Sequence, residues 1–359
     1  MRVNILTQPL FTNYGGVLQN FALQQVLKKL GHEPLTVNTP TPPPGPNVLW
    51  KDIIKTGINL GKRLKGNYSY PFLSPYKRAV KEYEFSKEFG KFAESHINKE
   101  NVNPPFTPEL IEKLPAEAWI VGSDQVWRPW CSHYIGNCFF DFIPADSSVK
   151  RIAYAASFGV DKWEIDDDTT ARLKPLAKLF DAISVREKSG VDLARNFLDV
   201  KATHVLDPTM LLSQEDYMGV ITSPDSLGSS RLVAYILDPS HAKQKEIKLT
   251  EKELGLPELR IGVMLKNGLD SIESWLQAFS SAEAVITDSF HGTVFSIIFQ
   301  KPVKILRNDV RGNTRLDSLL SLLNLKVDKN GFYCPDIETA QYLHELKTDS
   351  LNWLSSALK

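Results

Sequence analysis

The chain alternates short apolar runs with helices of amphipathic spacing, and a polar or glycine-bearing loop falls after most of the runs. Val3–Thr7 is the first run. Gln8–Asn13 is a loop, and Tyr14-Gly15-Gly16 opens a helix that continues to Leu30. Val17, Leu18, Phe21, Ala22, Leu23, Val26, Leu27 and Leu30 give that helix a broad apolar stripe, and Gly31 stops it. Glu33–Asn38 reads as the second strand. A strand–helix–strand opening predicts an α/β protein built on parallel sheet.

The same order recurs to the end of the chain. In the first half, Ala118–Val121, Arg151–Ala156, Ala182–Val185 and Thr203–Leu206 read as strands. In the second, Leu232–Leu237, Leu259–Leu265, Ala284–Thr287 and Val303–Arg307 do so. The 359 residues exceed what one core of roughly 250–300 residues holds. We therefore expect two doubly wound domains facing a cleft, over 1–212 and 213–348, with a terminal helix over 349–359 packing back on the first. The Pro-rich segment Thr39–Pro46 is stiff and extended. The stretch of about 48–113, with Tyr83, Phe85, Phe89 and Phe92, reads as a helical insertion in the first domain.

Composition excludes several classes of function. With 42 basic and 42 acidic residues the net charge is zero, which argues against a dedicated nucleic-acid binder and leaves room for a local basic pocket for a small anion. Three cysteines rule out a disulfide scaffold and fit a reducing compartment, the cytoplasm. Nowhere do about 18 apolar residues run together, so no integral membrane segment is expected. Cys131, His133 and Cys138 lie close together but lack paired metal-ligand spacing, so no metal site is expected.

In parallel sheets, ligands bind just past the carboxyl ends of strands. Five clusters fall there. Thr287-Asp288-Ser289-Phe290-His291-Gly292-Thr293 joins a buried strand to a helix expected to begin near Gly292, whose free N–H groups and glycine suit an anion. His291 could hold a phosphate or move a proton, and a capped turn with a core histidine would look the same. Arg186, in Ser184–Gly190, carries a fork suited to carboxylate or phosphate, or to an ordinary pairing with a nearby Glu. Asn13-Tyr14-Gly15-Gly16 permits close backbone approach or is merely a tight turn, and its spacing is not that of the dinucleotide fingerprint. In Gly122-Ser123-Asp124-Gln125-Val126-Trp127, Asp124 is a candidate base and Trp127 a candidate sugar platform; a helix cap and a core tryptophan are the plainer readings. Ser157-Phe158-Gly159 is the fifth.

Together these blocks resemble the polysaccharide pyruvyl transferases. The resemblance rests on Asn13–Gln19, Gly122–Trp127, Tyr154–Gly159, Ser184–Gly190, Asp207–Leu212 and Thr287–Thr293, in that order, across about residues 3 to 325. It implies a fold similar to the GT-B glycosyltransferases, with two Rossmann-like domains around a cleft. It further implies transfer of a pyruvyl group from phosphoenolpyruvate to two hydroxyls of a sugar, giving a cyclic ketal. Some members carry Arg directly before the motif histidine, where this chain has Phe290. The donor's anionic groups would then fall to Arg186, Lys188, Arg311, Arg315 and the loop Ser289–Thr293.

On this reading His291 is proton donor or phosphate anchor and Asp124 the hydroxyl base. Ser123, Gln125, Trp127, Ser157 and Asn13–Gly16 line the substrate site. No cofactor is expected beyond phosphoenolpyruvate as co-substrate. The acceptor is a sugar or a lipid-linked oligosaccharide, which puts the protein in the cytoplasm or at the inner face of the membrane, and an oligomer is compatible. Two alternatives stand: a nucleotide-sugar glycosyltransferase of the same fold, and a sugar-binding relative without catalysis. The apolar helix Val294–Phe299, with no acidic residue to reach a ribose, weighs against the first.

Overall fold

A computed structural model describes residues 1–45, 74–221, 230–262, 271–308 and 313–359. The first sheet is built from β1 (Arg2–Leu6), β2 (Glu33–Asn38), β3 (Lys99–Asn101), β4 (Ala118–Val121), β5 (Lys150–Ala156), β6 (Ala182–Val185) and β7 (Thr203–His204). The second is built from β8 (Leu232–Tyr235), β9 (Glu258–Ile261), β10 (Ala284–Thr287) and β11 (Val303–Ile305). Strand order is β3-β2-β1-β4-β5-β6-β7 in one and β11-β10-β8-β9 in the other, and every pairing is parallel. Strands such as Ala118–Val121 and Ala284–Thr287 are buried along their whole length because helices cover both faces, which is why they read as unbroken apolar runs.

Strand order reverses between β1 and β4 and again between β8 and β10. At each reversal the following loops run to opposite faces and leave a crevice at the carboxyl ends. The loops Asn13–Gly16 and Gly122–Asp124 therefore meet, and Asn13 Nδ2 donates to Asp124 Oδ2 at 3.1 Å.

Two segments differ from expectation. In the stretch expected as a helical insertion, residues 48–73 lie outside the described residues. The remainder is woven into the domain. Helix Ser74–His96 buries Phe85, Phe89 and Phe92 in the core, where Phe92 meets Phe21 of helix Tyr14–Lys29. β3 then pairs with β2, covering an edge that would otherwise expose unpaired backbone. The last helix spans Ile337–Leu358, starting well before residue 349, because Asp336 caps it by accepting from Thr339 N at 2.8 Å. It lies against the first domain: Leu206 N donates to Ser350 Oγ at 3.1 Å, and Trp353 lies 6.0 Å from Tyr154.

The largest apolar cluster runs through both domains. Tyr14 stacks on Trp275 at 5.3 Å, and Tyr217 meets Phe295 at 4.9 Å. Among the described residues no helix is long and apolar enough to cross a membrane.

Candidate active site

The site collects where the two sets of loops face each other, and Asp207, just past β7, is its hub. Asp207 Oδ2 accepts from Arg186 Nη1 at 2.8 Å and from Ser123 Oγ at 2.9 Å, and lies 3.7 Å from His291 Nε2. Its Oδ1 accepts from Thr209 N at 2.9 Å and Thr209 Oγ1 at 2.6 Å. Burial alone would raise this carboxyl. The adjacent His291 imidazole, the Arg186 guanidinium and the Thr209 hydroxyl outweigh burial and hold it well below the usual carboxylate range. Burial likewise opposes the charge on Arg186, but Asp207, Asp124 and Glu187 reverse this and raise it. Arg186 and His291 thus converge on one permanent anion.

Asp207 cannot serve as a switch near neutral pH. A carboxyl whose folded value lies below its unfolded value of about 3.9 stabilises the fold at every pH above that, and loses the contribution only as pH falls through the folded value.

Phe290 lies between two cations: Arg186 Cζ is 4.6 Å and Arg315 Cζ 6.0 Å from its ring centre. Burial, then the charge of Arg186, push Arg315 down to about 10, so it stays cationic at neutral pH. Among the described residues, several buried atoms here have no hydrogen-bond partner: Arg186 Nε and Nη2, Glu187 Oε2, Ser189 Oγ, His291 Nε2 and Arg315 Nε. Each such atom costs about 1–3 kcal/mol, and folded proteins carry few of them. Their concentration on one cleft marks a place completed by a polar guest. The cavity beside Arg186, Asp207, Phe290 and Arg315 is about 10 Å³, room for about one water. A cavity of about 920 Å³ lies elsewhere, lined by Met210, Ser213, Ile297, Pro335, Leu343 and Lys347, and reaches none of these residues.

Several expected residues stand at this cleft. Asp124 sits at its floor with φ 77°, and its Oδ1 lies 3.6 Å from Arg186 Nη2. Gly15 is where the His291 ring packs: a Cβ there would lie 1.9 Å from Nδ1. Asn13 folds its amide over Gly16, 2.9 Å from where a Cβ would be. Lys188 is exposed, and its main-chain N–H donates across the domains to Ser318 Oγ at 3.3 Å. Arg311 lies outside the described residues.

Others are engaged differently from expectation. Trp127 is fully buried, stacks on Phe139 at 4.9 Å and donates Nε1 to Cys138 O, so it is a core side chain and not a sugar platform. Tyr14 is fully buried in the aromatic seam between the domains. The helix after β10 starts at Phe290, not near Gly292, because Ser289 Oγ caps it by accepting from Gly292 N at 3.3 Å. Gly292 therefore admits no anion; a Cβ there would lie 2.3 Å from Thr287 Oγ1, so its smallness serves helix-on-strand packing. Thr293 Oγ1 is turned back to donate to Ser289 O. Ser157 donates to Glu187 Oε1 at 2.9 Å, and Gln125 Oε1 accepts from Arg128 at 2.9 Å.

Asp207 and Glu187 join the site from outside the expected set. Asp207 directly follows the strand expected over Thr203–Leu206, so the strand-end rule applied to it, but with Pro208 it reads simply as a chain stop. Glu187 Oε1 also accepts from Phe158 N at 2.8 Å and Gly159 N at 3.2 Å, which leaves Oε2 alone unpaired. Asp288 is structural: it accepts from Leu237 N, Asp238 N, Lys243 Nζ and Asn308 Nδ2, tying the loops after β8, β10 and β11 together. Among the described residues no three His, Cys, Asp or Glu side chains group to hold a metal ion.

Because Trp127 packs inside, Trp127→Phe is expected to lower stability by about 1–3 kcal/mol and leave the KM for any sugar unchanged, as read by chemical denaturation beside initial rates.

Two parallel sheets whose strand-end loops enclose a charged, partly unsatisfied cleft define an α/β protein of the GT-B fold class. Within that class, this chain belongs to the polysaccharide pyruvyl transferase family, whose sequence profile matches residues 13–309. No curated protein sequence matches it. Among solved structures, the chain is similar to the UDP-GlcNAc 2-epimerase of Neisseria meningitidis bound to UDP-GlcNAc, at 10% identity and TM-score 0.50, covering 99% of this chain and 94% of that one. It is also similar to a Listeria monocytogenes protein described as a UDP-N-acetylglucosamine 2-epimerase, at 12% identity and TM-score 0.51, covering 99% and 90%. At such identities the likeness concerns the fold alone.

Proposed function

We propose that the protein transfers a pyruvyl group from phosphoenolpyruvate to two hydroxyls of a sugar in a cell-surface polysaccharide precursor. The observation that carries this reading is the pair of buried guanidinium groups, Arg186 and Arg315, set beside His291 with hydrogen-bonding positions unfilled. Phosphoenolpyruvate offers a phosphate and a carboxylate, acceptors for the guanidinium N–H groups of Arg186 and Arg315 that have no partner among the described residues.

The reaction needs a proton at the methylene carbon and attack by oxygen at the neighbouring carbon. His291 donates that proton, and Asp124 accepts one from the first sugar hydroxyl. The second hydroxyl attacks the same carbon as the carbon–oxygen bond to phosphate breaks. Of the two hydroxyl protons, one is made good on the new methyl group and the other leaves with phosphate. Asp207 is a positioning residue: held ionised, it orients Arg186 and the imidazole without exchanging protons. No further cofactor enters this scheme. The donor and a lipid-linked acceptor would meet at the cytoplasmic face of a membrane.

A nucleotide-sugar transferase is less well supported. Helix Phe290–Ile298 is buried throughout and carries no acidic side chain for a ribose. The test is release of phosphate from phosphoenolpyruvate in the presence of a panel of glycosides, run beside release of UDP from UDP-sugars. Phosphate release that depends on glycoside, without UDP release, is expected; the opposite pattern overturns the proposal.

A further inference from the structure

With Trp127 sealed in the core, the loop that follows it presents a different indole. Trp130 is 65% exposed, yet it is not loose. Arg128 Cζ lies 4.8 Å from its ring centre. Arg128 is itself locked: Nε and Nη2 donate to the two carboxylate oxygens of Glu164 at 2.8 and 3.2 Å, and Nη1 donates to Gln125 Oε1 at 2.9 Å. The loop is pinned as well, since Cys131 N and Ser132 N donate to Arg128 O, and Gln8 Nε2 donates to Ser132 Oγ at 2.7 Å. An aromatic face is thus fixed toward solvent by a fork-to-carboxylate pair, which removes most of the entropy a guest would otherwise have to freeze out.

Its position relates it to the cleft. Gln125, which holds Arg128, is the next residue after Asp124. Cys131, the next residue after Trp130, lies near enough to Asp124 and Arg315 for both charges to act on its thiol. Arg128 thus ties the indole, through the Gln125 side chain, to the residue that follows Asp124. A rigid apolar face beside a carboxylate matches a pyranose ring, whose C–H face stacks while its hydroxyls turn toward the acid.

We propose that Trp130, clamped by Arg128 and Glu164, is the stacking platform for the sugar ring of the acceptor. This rests on the sugar-acceptor reading above. The test measures binding of methyl hexopyranosides and of phosphoenolpyruvate in separate calorimetric titrations, using wild type, Trp130→Ala, Trp130→Phe and Glu164→Gln. Trp130→Ala is expected to weaken glycoside binding about tenfold, Trp130→Phe to restore most of it, and Glu164→Gln to fall between, with phosphoenolpyruvate binding within twofold of wild type throughout. Glycoside binding indifferent to Trp130→Ala overturns the platform, as does a wild type that binds none of the glycosides. A wild type that binds glycosides through Trp130 but not phosphoenolpyruvate keeps the platform and overturns the donor reading.

Discussion

Asp207→Asn is expected to remove turnover and to lower stability by about 3–5 kcal/mol. The carboxylate is fully buried and pairs with a guanidinium that is also fully buried, at 2.8 Å. An amide keeps the shape and removes the charge, so Arg186 loses its hydrogen-bonded anion and keeps only the more distant Asp124, at 3.6 Å, and Glu187. The loss of the partner, more than the loss of the pair, makes such a change costly. Asp207→Asn combined with Arg186→Met should therefore recover part of the stability and none of the activity. In urea titrations, the gap between wild type and Asp207→Asn should stay constant from pH 8 to about 4. It should narrow only below that, as Asp207 in the unfolded wild-type chain takes up a proton that the folded chain still refuses. A gap below about 1 kcal/mol at neutral pH would contradict the buried pair.

Gly15→Ala is expected to cut kcat on the order of 100-fold and to lower stability by about 1–3 kcal/mol. Gly15 lies in the first turn of helix Tyr14–Lys29, where alanine would ordinarily be favoured by up to about 1 kcal/mol. Here the new methyl would lie 1.9, 2.2 and 2.4 Å from three atoms of the His291 ring, which comes from the other domain. The imidazole must swing aside or the domains must stop short of closing. A displacement of about an ångström at a reacting group costs on the order of 100-fold. The direction should match His291→Ala, although nothing in the imidazole's own chemistry has changed. Gly16→Ala is the milder comparison: its methyl would lie 2.9 Å from Asn13 Nδ2 and 3.1 Å from Asn13 Cγ, so the amide must turn and loosen its bond to Asp124, with no contact on His291. Saturating kinetics of the three variants, alongside their thermal midpoints, separate the cases.

The sequence by itself determined the two parallel sheets, the order of the strand-end loops, and the candidacy of Arg186, His291 and Asp124. These follow from local patterns: apolar runs that must be buried on both faces, helix stripes, and polar loops at strand ends. Only the tertiary structure decided which loop side chains face the cleft. Trp127 and Trp130 stand three residues apart in one loop, one stacked on Phe139 in the core and the other held outward on Arg128. Nothing in that short stretch tells them apart, because the deciding contacts come from Phe139 and from Glu164. Asp207 is the clearest case: its partners Ser123, Arg186 and His291 come from three separate strand-end loops, with Ser123 84 residues away in the chain. A buried charge is defined by the groups that close around it, and those groups are gathered by the winding of the sheets, not by neighbourhood in sequence.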